Sequence, residues 1–191
     1  MSVRFVVVNG YGCHLVPELT EYLDEVGRFV REHPTDYLVF CGGATQRKSA
    51  PGSTEAGVMA EYVSEQLRSR YPHQSLPEFI IEDDSYTTLE NVQNTMHVIH
   101  ARHGLATFTW LDVEVDVFCE TQRALKTLML YWLLFPEIRK LGRRVRVHTV
   151  SWELGNPLKE VINIVFDLAA VYIPGLAGWA RRRRLKRSRL I

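Results

Sequence analysis

"FCGGATQRKSAPGSTEAGVMAEYV", residues 40–63, leaves an apolar run at Gly42-Gly43, crosses ten polar or small residues and resumes with helical spacing. Beyond the bend, Val58, Met59, Tyr62, Val63 and Leu67 fall on one stripe of a helix. The stretch therefore reads as one strand passing into one helix. A connection of that kind needs only about 2–6 residues, so the surplus predicts a loop that holds something. The two glycines let backbone approach a ligand or take positive φ, and a helix starting near Ser53 would offer its N–H groups and positive dipole end to an anion. An ordinary turn closed by a Ser53 N-cap explains the same letters.

The pattern repeats on both sides. "VRFVVVN", 3–9, is a β-branched run with the look of a buried strand. Pro17 then opens a helix with Leu19, Leu23, Val26 and Val30 at steps of three and four. Further strands are expected at 36–43, 78–83, 113–120 and 144–151. Between them lie a helix carrying Leu89, Val92, Met96 and Ile99, with Thr87 and Glu90 spaced as a capping box, and an apolar helix around 124–135. A last helical segment follows Asn156-Pro157. Strand and helix alternate about five times. That predicts a Rossmann-like, three-layer α/β/α fold on a mostly parallel sheet of about five strands.

In such sheets ligands sit beyond the carboxyl ends of the strands. The polar loops Asn9–His14, Gly42–Ser53, Glu82–Thr88, Glu120–Arg123 and Ser151–Asn156 all fall there. Their residues compose one expected pocket for a small anionic molecule. Gly42, Gly43, Ser53 and Glu55 form one wall, Glu82, Ser85, Thr88 and Asn91 the other, and Asn9, Gly10 and Arg123 the floor. Arg123 would counter a phosphate or carboxylate, and Glu55 is the candidate catalytic base. Neither GxGxxG nor GxxxxGK[ST] occurs, so dinucleotide and P-loop sites do not follow.

Gly42-Gly43, then Ser53-x-Glu55-Ala56-x-x-Met59, then Glu82-x-x-Ser85-x-x-Thr88-x-Glu90-Asn91 resemble the successive motifs of the YdcF/SanA/ElyC-like family, a domain of unknown function. The resemblance spans roughly residues 3–155. It implies a Rossmann-like domain whose motifs meet at one pocket, ties to envelope biogenesis in some bacterial members, and S-adenosylmethionine or a similar nucleotide-like ligand. The chain departs from the family pattern twice. Its first loop is short and lacks an arginine, and "CETQRALK" keeps Arg123-Ala124 but carries Gln122 near the expected histidine. If that histidine is a family acid–base group, this chain lacks it, which points to a divergent branch or to a binding rather than a catalytic role. A transferase or hydrolase of phosphorylated or glycan-lipid substrates is a further alternative, without an identifiable nucleophile–base pair.

Composition narrows the rest. The 191 residues are 46% hydrophobic and 24% charged, with net charge +1, ordinary for one globular domain. The charge is unevenly placed: residues 181–191 hold seven basic side chains and no acid, leaving −6 on the remainder. Three cysteines, Cys13, Cys41 and Cys119, form no CxxC pair, which speaks against thiolate metal binding and for a reducing, cytoplasmic setting. After Arg4 the apolar stretch is too short for a secretory signal, so the fold is expected to begin at once. Cys13 beside His14 is a weak nucleophile candidate with no orienting carboxylate. Asp83-Asp84 reads as solvated loop acid before it reads as a cation site, and His97, His100 and His103 share no tight helix face.

Residues 161–180 have the length of a bilayer span, but Asn163 and Asp167 lie inside and Pro174-Gly175 splits the stretch. A helical segment over 156–180, docked on a 1–155 domain, is the better account. Residues 181–191 then read as a flexible basic tail. Such a tail could meet an anionic membrane surface; without an aromatic platform, specific nucleic-acid binding is not expected.

Overall fold

Both faces of strand β1, Val3–Asn9, are apolar, and Phe5 to Val8 are fully buried. Only a central strand with helices on each side offers such a setting. The computed structural model describes residues 2–73, 75–103, 113–135, 145–150 and 157–190. In it β1 lies between β2 (Tyr37–Cys41) and β4 (Val113–Glu120), with β3 (Glu78–Glu82) and β5 (Val145–Val150) at the edges. The order is β3-β2-β1-β4-β5 and every pairing is parallel. The fold is Rossmann-like α/β, as the alternation of runs predicts.

Right-handed crossovers fix which face each helix covers. Helices α1 (Pro17–Glu32) and α2 (Glu55–Arg70) pack Leu19, Tyr22, Leu23, Val26, Met59 and Val63 against Val6, Val8 and Phe40. Helices α3 (Thr88–His103), α4 (Thr121–Leu134) and α5 (Pro157–Tyr172) cover the other face around Val7, Val39 and Val117. The chain changes direction after β3, so a crevice opens between β1 and β4. The register brings the central strand ends level: Asn9 stands beside Cys41, Cys41 beside Glu82, and Val8 beside Phe118. Everything that follows β1, β2, β3 or β4 starts from one rim.

Three expectations need correction. α4 begins at Thr121, directly after β4, so Glu120–Arg123 is the first turn of a helix. α2 begins at Glu55 with Thr54 as its N-cap, accepting the Gly57 N–H at 3.1 Å, in place of Ser53. The boundary expected at residue 180 also moves: α6, Pro174–Ser188, runs unbroken through the arginines. Its C-terminal half is fastened at two points. Arg181 Nη1 donates to Glu90 Oε1 at 2.7 Å and to the Asp84 carbonyl at 3.0 Å, while the Ser188 carbonyl accepts the Arg47 N–H at 3.0 Å. The structural break therefore falls at Ile173-Pro174 rather than near residue 180. Among the described residues no helix is long and apolar enough to cross a membrane. The expected loop Ser151–Asn156 lies outside the described residues.

Candidate functional site

The loop of residues 44–53 turns out to grip its neighbours. Gln46 Oε1 accepts the Cys13 N–H at 2.7 Å, Ser49 Oγ meets His14 Nε2 at 3.1 Å, and Thr45 Oγ1 donates to Glu55 Oε1. The first two bonds tie the β1–α1 loop to the β2–α2 loop, and the third closes the β2–α2 loop on its own helix. Glu55 is the wedge between them: a methyl at Gly10 or at Gly42 would run into its side chain. Gly42 holds φ +144°, a conformation closed to residues with a Cβ. Burial lifts the Glu55 carboxyl above the usual carboxylate range, against the pull of the Thr45 hydroxyl and Arg123.

A cavity of about 230 Å³ opens beside this wedge. Gly10, Gly42, Glu55, Ser85, Thr88, Asn91 and Arg123, all expected from sequence, line it. Asn9 stands one step behind, its Oδ1 accepting Asn91 Nδ2 at 3.0 Å, so it orients Asn91. Gly43 also stands behind, its N–H bonded to the Ser85 carbonyl at 2.7 Å. Ser53 and Glu82 are not among the lining residues. Ser53 lies in the turn that closes on Ala50, and its carbonyl accepts the Cys13 thiol at 3.7 Å. Glu82 Oε1 accepts from the Asp84 N–H at 3.1 Å and from Asn94 Nδ2 at 2.8 Å, bracing the β3–α3 turn.

The proposed source of the grip changes as well. The first N–H groups of α2 are already taken: Glu55 N–H by the Gly43 carbonyl, Ala56 N–H by the Gly42 carbonyl and Gly57 N–H by Thr54. At α3 the expected capping box is present. Glu90 Oε2 accepts the Tyr86 and Thr87 N–H groups, and Thr87 Oγ1 accepts the Glu90 N–H. The α2 start is closed by the protein's own groups, the α3 start is braced by Glu90 and Thr87, and the full positive charges at the cavity come from side chains.

Three guanidiniums supply it. Arg123 lies on the first turn of α4, 4.7 Å over the Tyr11 ring and 3.5 Å from Glu120. Arg184 and Arg187 reach the cavity from α6. With Glu55 they are the charged residues of the lining, so the wall carries +2 if Glu55 is ionised and +3 if it is not. Thr87, which the sequence placed beside Ser85 and Thr88 as a partner for an anion, lines it too. Tyr11, Gly12, Thr45, Gln46, Tyr86, Arg184, Arg187 and Ser188 also line it and were missed. The first five sit in the very loops the sequence singled out. The last three carry no local signal, because nothing in a run of arginines says where it docks.

Other candidates dissolve. Cys13, Cys41 and Cys119 are buried thiols; burial, then the nearby Glu55 charge, raises Cys13, the opposite of an activated nucleophile. Among the described residues no group of His, Cys, Asp and Glu could hold a metal ion. A roomier groove, about 670 Å³, runs between α1, α2 and β5. Within it Arg28 pairs with Glu25, and Asp24 accepts from Tyr62 and Gln66.

Comparison with protein-family models and with curated proteins gives no match. The site rests on its geometry.

Proposed function

We propose that the protein binds a small, phosphate-bearing, nucleotide-like anion above the carboxyl ends of β1 to β4, as the YdcF-like resemblance also implies. The supporting observation is the convergence of Arg123, Arg184 and Arg187 on one cavity floored by close-packed glycine backbone. Guanidinium forks match phosphate oxygens in pairs, and Ser85, Thr87, Thr88 and Asn91 add hydroxyl and amide partners. S-adenosylmethionine fits this wall less well than a phosphate does, because its sulfonium and ammonium outweigh its carboxylate. Glu55, its oxygens turned onto Thr45 and the glycines, suits the role of a pin better than that of a base. The function is binding, with any chemistry secondary to it.

Thermal unfolding with inorganic phosphate, AMP and S-adenosylmethionine tests this reading. Phosphate and AMP should raise Tm, S-adenosylmethionine less so, and Arg123→Gln should remove most of the gain. No shift with any phosphate compound would refute it.

A second reading has its own support. α4 exposes Leu125, Leu128, Met129 and Trp132, and its neighbour α5 exposes Val161, Ile162 and Val165. The outer face of α6 adds exposed Arg182, Arg183 and Lys186. Apolar side chains rimmed by cations suit an anionic lipid surface. Co-sedimentation with phosphatidylserine vesicles, absent with phosphatidylcholine vesicles, is the expected result.

A further inference from the structure

α6 is fastened at Arg181 and Ser188, and the turns between them line the cavity. At about 100° per residue, Arg181, Arg184, Arg187 and Ser188 fall within an arc of about 120° on one side of the helix. Arg181 grips Glu90 and the Asp84 carbonyl beside the α3 start, and lies 5.2 Å from the Tyr86 ring centre. Arg47 also holds that tyrosine, with Nη2 donating to its hydroxyl at 2.7 Å, and its own N–H holds the Ser188 carbonyl. Between these fastenings, Arg184 and Arg187 are directed at the hollow that Arg123 enters from α4.

Resting on the anion-binding reading above, we infer that α6 is a ligand-binding wall and that the ligand carries a diphosphate group, one phosphoryl held by Arg123 and the other by Arg184 and Arg187. A single phosphate saturates one or two guanidinium forks and leaves the third cation facing like charge. A diphosphate, with two or three negative charges, matches a wall of +2 to +3. Arg184 stays exposed as a residue, yet partial burial of its guanidinium, then the charges of Arg123 and Arg187, pull that group below its ordinary value. An anion bridging the two helices would reverse that.

Isothermal titration calorimetry on the full chain provides the test, with inorganic phosphate, pyrophosphate, malonate, AMP and ADP as probes. Pyrophosphate should bind at least tenfold tighter than phosphate or malonate, and ADP correspondingly tighter than AMP. The variant Arg184→Gln/Arg187→Gln should lose about tenfold or more in pyrophosphate affinity, as expected for charged hydrogen bonds, while phosphate affinity changes little. Arg182→Gln/Arg183→Gln removes as much charge from the outer face and should leave both affinities within about twofold. If the wild type binds phosphate and pyrophosphate equally, or malonate equals pyrophosphate, the diphosphate assignment fails while the anion site stands. If the inner and outer arginine pairs behave alike, α6 is no wall. If no phosphate compound binds, the underlying reading fails too. An unchanged circular dichroism spectrum and Tm for the inner variant would show that lost affinity is not lost folding.

Discussion

Gly42 shows how closely backbone and side chain are fitted at the rim. It holds φ +144°, and a methyl there would lie 2.7 Å from Glu55 Oε2. Gly42→Ala should therefore cost about 2–3 kcal/mol by combining backbone strain with overlap, read as a shift in urea midpoint with unchanged slope. Gly52→Ala, at φ +78° with open space around it, should cost less. Equal losses would mean that conformation alone, and not the Glu55 wedge, demands glycine. Residue types at the site were legible because glycine, serine, threonine and asparagine cluster where strands end. Their division of labour was not. Ser53 and Thr54 are equally good caps on paper, and which one caps depends on where the chain leaves the Gln46–Ala50 turn.

An acid inside an apolar stretch shows the same limit for elements. Asp167 interrupts 161–180, and from sequence it argues against a bilayer span. The structure adds its partner: Asp167 Oδ2 lies 3.1 Å from Lys126 Nζ on α4, with side-chain exposures of 15% and 6%. The pair joins α5 to α4 where water is scarce. Asp167→Ala should cost about 3 kcal/mol by taking the carboxylate away from a buried ammonium, and Asp167→Leu with Lys126→Met should recover most of the lost Tm. A loss below about 1 kcal/mol would show the pair to be solvated. Helix positions, inner faces and the α3 capping box were readable from spacing, because periodicity and caps are local. The start of α4 and the persistence of α6 were not. Their cause lies across the molecule, in the sheet rim, Glu90 and Arg47.

Across the whole molecule, charge holds the β5 edge to the centre. Arg146 Nε and Nη2 reach Asp116 at 2.7 and 2.8 Å, His148 Nε2 lies 2.8 Å from the same carboxylate, and Glu114 joins Arg4 to Arg146. Burial alone would raise Asp116, but the Arg146 and His148 bonds outweigh it and hold the carboxyl at about 2. Because the folded value lies below the unfolded one, this stabilisation is full above pH ~4 and disappears as pH falls towards 2. It amounts to about 2 kcal/mol. Urea unfolding from pH 6 to pH 2 should show the gap between wild type and Asp116→Asn narrowing over that range, and a constant gap would refute the linkage. The order of strands and helices, their buried faces and the rim where polar loops gather were determined by the sequence alone, since alternation and chain connectivity admit few other arrangements. Tertiary structure alone decided that the arginine run folds back as α6 over that rim. Docking is a contest between solvation and distant partners, and a string of letters does not contain the distances that settle it.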